Sequence, residues 1–450
     1  IASYLQLSRT NMAISNRALY NNAAMNLAEN GLEEAMYSIN KKVDDDTYDW
    51  SGWTTDGTNA WRKWTGYTFD QNATGTMNVY VYNYLGAAAP KAVARSTITL
   101  GGGSARPIEK WVEVQLRKTS KFANGLVAKN SIIFNGNNVT VDSWNSDPDN
   151  DGLSPIPYST AVRDDNGSVG SVSVSVDSVA VQNGDVWGYV STGGDDPTDN
   201  VGASGSILGA DSPAGGKVDP ARVATDFTAS FDPVAAPGGT YLGVPTGFIS
   251  DNLTLPIPGD VPAADGKFYY TANQINFNNK ELKITGKVVL KLTNTITAID
   301  MAGGSSVINI TSTGSLAVYA EGDIKIAGQG LSNGTDGADS GTDISDSESG
   351  QPVKFQLWGT KTSGVQNIDV KGNGTFSGVI YAPQGNVTVT GNGSISGSVV
   401  ANDIKLTGNA AFHYDESLGN FGGGNPFRVS KWKELTTAAD RAAYGTVLNF

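Results

Sequence analysis

Residues 372–393 read GNGTFSGVIYAPQGNVTVTGNG, and residues 391–399 repeat the opening as GNGSISGSV. The equivalent positions Ile380 and Val399 lie nineteen residues apart, near the short end of the periods that mark stacked repeats. Two further stretches carry the same plan: VAKNSIIFNGNN at 127–138 and VYAEGDIKIAGQG at 318–330. A fourth, VVANDIKLTGNA at 399–410, continues from the second copy. Each is a short β-branched strand ending in Ala, then a polar corner, a second short strand and a Gly/Asn turn. Such a unit cannot bury its apolar face alone and must stack on its neighbours. The pattern predicts a parallel β-solenoid over 122–425, with Val379, Ile380, Val387 and Val389 in its stacked core.

Outward from this stretch the texture varies. Residues 142–265 are rich in Pro, Gly and Asp and predict a long loop excursion with occasional strands. Residues 328–350, GQGLSNGTDGADSGTDISDSESG, predict a second, acidic insertion of low complexity. Before the repeats, MNVYVYNYL (77–85), AVARSTITL (92–100) and KWVEVQLRK (110–118) alternate apolar and polar residues, which predicts an antiparallel meander within a small sheet domain over 43–121. Residues 1–42 carry a helical period through Leu19, Ala23, Leu27, Leu32, Ala35 and Ile39, with Lys41 and Lys42 in the last turn. Gly31 interrupts that helix and weakens it on propensity alone. In the tail, 426–450, a helix capped by Ser430 is expected to cover the solenoid's end. The predicted fold class is therefore mainly β: a long N-terminal helix, a small antiparallel sheet, then a parallel solenoid with long insertions.

Composition narrows the function. Over 450 residues the chain holds 17% charged residues and 55 glycines, and its net charge is −13. Clustered Lys and Arg for phosphate contacts are lacking, so nucleic acid is not an expected partner. There is no cysteine and a single histidine, His413, which removes disulfides, thiolate chemistry and His-rich metal sites. No apolar run reaches the roughly eighteen residues a membrane helix needs. Because the sequence opens on Ile1 without Met, a processed or truncated start is expected, and membrane attachment would come only from a segment upstream.

Three places could carry chemistry. SDPDNDG at 146–152 sets Asp147, Asp149 and Asp151 at alternate positions ahead of Gly152, the opening of a calcium loop. Its twelfth position is Tyr158 instead of the bidentate Glu, so calcium is the one candidate cofactor and would need a further ligand from elsewhere. Trp50, Trp53, Trp61 and Trp64 are candidate ligand-contact aromatics for sugars, or else fill the edges of a small core. In FHYDESL, 412–418, the lone histidine could serve acid–base chemistry, but Phe412, Tyr414 and Leu418 read as packing residues. No catalytic residue is assigned.

The stretch NNAAMNLAENGLEEAMYSIN resembles the helix of type IV pilin-like proteins just after their membrane segment, through Ala24, Leu27, Ala28, Glu29, Gly31, Leu32, Glu33 and Ala35. The segment from Phe376 to Leu418 looks like the C-terminal β-solenoid module of some of these minor-pilin or pseudopilin-type proteins, closing on an [FY]-H-Y-D-x-x-L phrase. The apolar start and peptidase site of that family are missing from this sequence. The resemblance implies a non-enzymatic, extracellular subunit of a filament at the bacterial surface. Its helix would contact other pilin-like subunits, and its solenoid would face surface glycans or a host or neighbouring cell. The rivals are a solenoid polysaccharide lyase or hydrolase, and a self-polymerising solenoid scaffold.

Overall fold

The computed structural model describes residues 2–450 except 45–47, 71–72, 86–89, 102–105, 119, 137, 150–154, 328–329, 334–350, 373–375, 392–393 and 422–426. The GNG turns and nearly all of the 328–350 insertion therefore lie outside the described residues. The chain divides into two compact units, Ile1–Ser120 with Gly422–Phe450, and Lys121–Phe421.

The first unit is an antiparallel sheet under a helix. The three expected strands form, as Ala73–Tyr82, Lys91–Leu100 and Ile108–Lys118. They pair antiparallel in that order, flanked by Ala60–Asp70 and a short Thr54–Thr55 strand on one side. One face of the sheet buries Met77, Val79, Val81, Ala94 and Val112 against Leu27, Ala28, Leu32, Ala35 and Ile39 of the helix Ala2–Asp44. Gly31 has its reason here. A Cβ on it would stand 2.6 Å from both Met77 Sδ and Val79 Cγ2, so the helix approaches the sheet only because no side chain is present. The opposite face buries Val93 and Trp111 under Leu435, Tyr444 and Leu448 of the tail.

The second unit is built from parallel strands. Every strand pairing in its main sheet and in a smaller four-stranded sheet is parallel, among the described residues. The two copies of the repeated sentence run side by side, as Phe376–Gly391 and Ser394–Gly408, with Phe376 opposite Ile395, Ile380 opposite Val399 and Val389 opposite Leu406. One inward ladder runs through Tyr270, Leu290, Val318, Leu357, Ile380, Val399, Leu126, Val169 and Val190, each the register partner of the next and all buried. β-Branched and leucine side chains at matching positions interdigitate along it, which is why short, weakly patterned strands suffice.

The expected fold, a long helix followed by a sheet and then a solenoid with loop insertions, is overturned on three counts. First, among the described residues only the second half of the helix belongs to a packed core. Its buried residues run from Ala24 to Ile39, while Tyr4, Leu7, Ile14 and Leu19 are 56–80% exposed. Second, the parallel strands do not follow the sheet in linear order. Strand Leu126–Asn135 pairs with Ser394–Gly408 near the far end of the same unit, and Thr140–Trp144 pairs with Ala411–Asp415. Residues 142–265 are not one long loop excursion, since Gly167–Ser171, Asp185–Ser191 and Ser206–Leu208 extend the stack beyond that junction. The segment 225–241 then passes back along the strands. Phe227 donates its N–H to Thr192, the Asp232 carbonyl accepts from Tyr381, and the Tyr241 ring meets Tyr269. Pro233 and Pro237 deny that segment a regular ladder. Third, the tail does not begin as a capping helix. Phe427–Glu434, which contains Ser430, is a strand antiparallel to Ile108–Lys118 and completes a six-stranded sheet. Only Ala438–Ala442 is helical, under a capping box made by Thr437 and Asp440. A register shift between Val429 and Lys431 breaks the strand's period and hid it in the sequence.

Candidate functional site: the clasp around His413

The polar side chains buried at the junction of the second unit's first and last strands come largely from FHYDESL and from residues 142–146. Strand periodicity sorts the phrase. Phe412 and Tyr414 turn inward, and Tyr414 donates to the Phe122 carbonyl. His413 stands on the other face, in register with Asp142. His413 Nδ1 and Asp142 Oδ1 lie 2.5 Å apart. Asp142 Oδ2 accepts from the Tyr158 hydroxyl at 2.6 Å and pairs with Arg163 Nε at 3.1 Å. The Tyr158 ring stacks on the imidazole with centroids 3.6 Å apart, and Trp144 meets Tyr158 edge-on. His413 is only 7% exposed. The carboxylate is thus held by three donors, the condition under which a buried charge is tolerated.

Two residues on, Asp415 has no exposed surface. It accepts from the Ser146 amide at 3.0 Å, the Ser146 hydroxyl at 2.7 Å and the Ser417 amide at 3.1 Å. Burial pushes the Asp415 carboxyl above the usual carboxylate range, against the pull of those donors. Glu416 accepts from Ser143 at 2.7 Å and from Asn166 at 3.1 Å. Farther along the junction, Asp403 accepts from the Ser131 hydroxyl at 2.6 Å, and paired amides join Asn130 to Asn402 and Asn138 to Asn409. Apart from the Ser417 amide's bond to Asp415, these bonds connect residues some 250–273 apart in sequence, and so tie the unit's beginning to its end.

Ser396 is the register partner of His413 on the neighbouring strand, and its hydroxyl is buried without a hydrogen-bond partner among the described residues. The imidazole has one nitrogen on Asp142 and one ring face against Tyr158.

The clasp shapes a neighbouring recess of about 220 Å³, lined by Asp147, Gln351, Val353, Ser417, Leu418, Asn420 and Phe421. Of the proposed calcium loop, Asp147 is half-buried at this recess, Asp149 is exposed, and Asp151 lies outside the described residues. Among the described residues no group of three or more Asp, Glu, His or Cys converges as a metal cage. The tryptophans divide. Trp50, Trp53 and Trp64 pack on the helix side of the sheet as a chain of edge-to-face contacts, and Trp53 Nε1 donates to Ser38 at 3.0 Å. Trp61 lies on the opposite face, stacked on its cross-strand partner Tyr80 at 5.9 Å. Asp142, Tyr158 and Arg163 were not identified from the sequence. Asp142 sits in an ordinary alternating run, and its partner is 271 residues away, so no local signal marks it.

Residues 249–421 match a family described as a domain of unknown function (DUF7305). No curated protein matches the sequence. Among solved structures the chain is similar to the competence-associated pilin ComZ from Thermus thermophilus, at 15% identity and a TM-score of 0.26, over 91% of this chain and 96% of that one. It is also similar to an ice-binding protein from the Antarctic ascomycete Antarctomyces psychrotrophicus, at 11% identity and a TM-score of 0.22, over 66% and 97%. At such TM-scores neither likeness carries an argument about fold or role. Among the described residues no helix is long and apolar enough to cross a membrane.

Proposed function

We propose that this chain is an extracellular structural subunit of a type IV pilus-like filament or its tip, carrying a parallel-stranded unit for surface contact. The observation that supports it most is the division of the N-terminal helix. From Ala24 onward the helix has a core to pack against, whereas Tyr4, Leu7, Ile14 and Leu19 are exposed, with no core among the described residues of their unit. Large apolar side chains spaced along an uncovered helix favour burial against other helices. The sequence pattern around Gly31 and Glu33 points the same way, and Gly31 serves close packing of helix on sheet.

The test is fractionation of the native host. The protein is expected in the sheared surface fraction, and Leu7→Asp with Ile14→Asp should remove it from there without lowering its folded amount. Recovery of the unaltered protein only from the cytosol contradicts the filament role.

A further inference from the structure

We propose that the recess beside the clasp binds a single neutral saccharide unit. The lining supplies one carboxylate (Asp147), two side-chain amides (Gln351, Asn420) and a hydroxyl (Ser417), with Val353, Leu418 and Phe421 as apolar wall. A hydroxyl-rich ring needs this mixture: acceptors and donors around its edge, and an apolar surface against its C–H face. Among the described residues no Lys, Arg or His lines the recess and the one charge is negative, so phosphate, sulfate and uronate ligands are disfavoured. At about 220 Å³ it is smaller than the roughly 300–1,000 Å³ of sites for drug-sized ligands, which suits one ring and excludes an enclosed oligosaccharide.

The walls are set before any ligand arrives. Buried Asp415 holds the backbone of both Ser146 and Ser417, the neighbours of Asp147 and Leu418. The hydroxyls of Ser146 and Ser417 lie 3.1 Å apart. The N–H of Phe421 donates to the Leu418 carbonyl at 3.1 Å, and its ring rests against Phe122. A preformed wall lowers the ordering cost of binding a small ligand.

This assignment deepens the surface-contact reading, yet binding by purified protein needs no filament, so either can fail alone. The experiment is saturation-transfer NMR on the full chain with the methyl glycosides of glucose, galactose, mannose and N-acetylglucosamine, with and without a calcium chelator. At least one glycoside should receive saturation, chelator or not. Asp147→Asn, which keeps the side chain's shape, should weaken that binding at least about tenfold, or about 1.4 kcal/mol. Asn420→Ala gives a second, milder loss at a site where no core is disturbed. No transfer to any glycoside, transfer unchanged in Asp147→Asn, or binding abolished by the chelator each overturns the proposal, the last in favour of a cation site.

Discussion

At the residue scale, glycines and one buried carboxylate carry more of the structure than their sequence context suggested. Gly31 looked like a weak point in a helix and is a contact point. Gly31→Leu should destabilise the first unit by about 1–3 kcal/mol through overpacking on Met77 and Val79, read as a lower urea midpoint. The glycines of the repeated SGV/SGS phrase precede the strand–corner–strand unit of the repeat. Gly397 lies within a strand at φ +132°, and a Cβ there would meet the Gly378 carbonyl oxygen at 2.0 Å. The obstruction is backbone, which cannot step aside, so Gly397→Ala should cost more than the Gly31 substitution and lower the second unit's melting temperature further. Asp142→Ala leaves the buried His413 without its carboxylate partner, while the exposed Arg163 stays solvated, and should cost about 1–3 kcal/mol, whereas replacing the exposed Asp149 should cost almost nothing. The Phe/Tyr alternation of FHYDESL showed which side chains pack inward. It could not show that the histidine between them meets a carboxylate near the unit's other end.

At the element scale, legibility followed length. Strands of ten or so residues with period-two alternation were visible, and so was the buried stripe of the helix, but the eleven-residue strand Ala60–Asp70 was read only for its tryptophans. Across 167–224 only the alternating run at 168–182 suggested strands, and the two- to seven-residue strands beyond it were not visible, because so few residues carry little period. Their stability comes from neighbours in the stack. Strand Ala411–Asp415 and the turn after it also give the protein a pH response. The folded Asp415 value lies above the unfolded 3.8, so the folded state favours the protonated carboxyl. Its contribution is full below 3.8 and is lost as pH rises through the folded value. Asp415→Asn should therefore flatten the dependence of the urea midpoint on pH just above 3.8. An unchanged slope would assign that response to other groups.

At the scale of the whole molecule, the chain leaves its antiparallel sheet after Lys118 and returns to it at Phe427, and those two residues are register partners. Leu126 and Val399, at the start and near the end of the intervening unit, are partners as well. Each unit therefore closes on its own ends. Residues 121–421 expressed alone should fold, and so should residues 1–120 joined to 422–450 by a short Gly/Ser linker. Each should give a cooperative thermal transition by circular dichroism, and a non-cooperative melt of either would show that it depends on the other. This closure was the least legible feature in the sequence. The repeat marked short strands of matching pattern, but nothing in it stated that Leu126–Asn135 pairs with Ser394–Gly408 near the unit's far end.

The filament role rests on the uncovered half of the helix, and contact there can be read directly. A photo-crosslinking residue placed at Leu7 or Ile14 of the full protein, in its native host, should form adducts with another helical filament subunit. The same residue at Val176, exposed on the second unit, should not form that adduct. An absence of subunit adducts at Leu7 and Ile14 in intact cells, with the protein folded and present, would contradict the proposal.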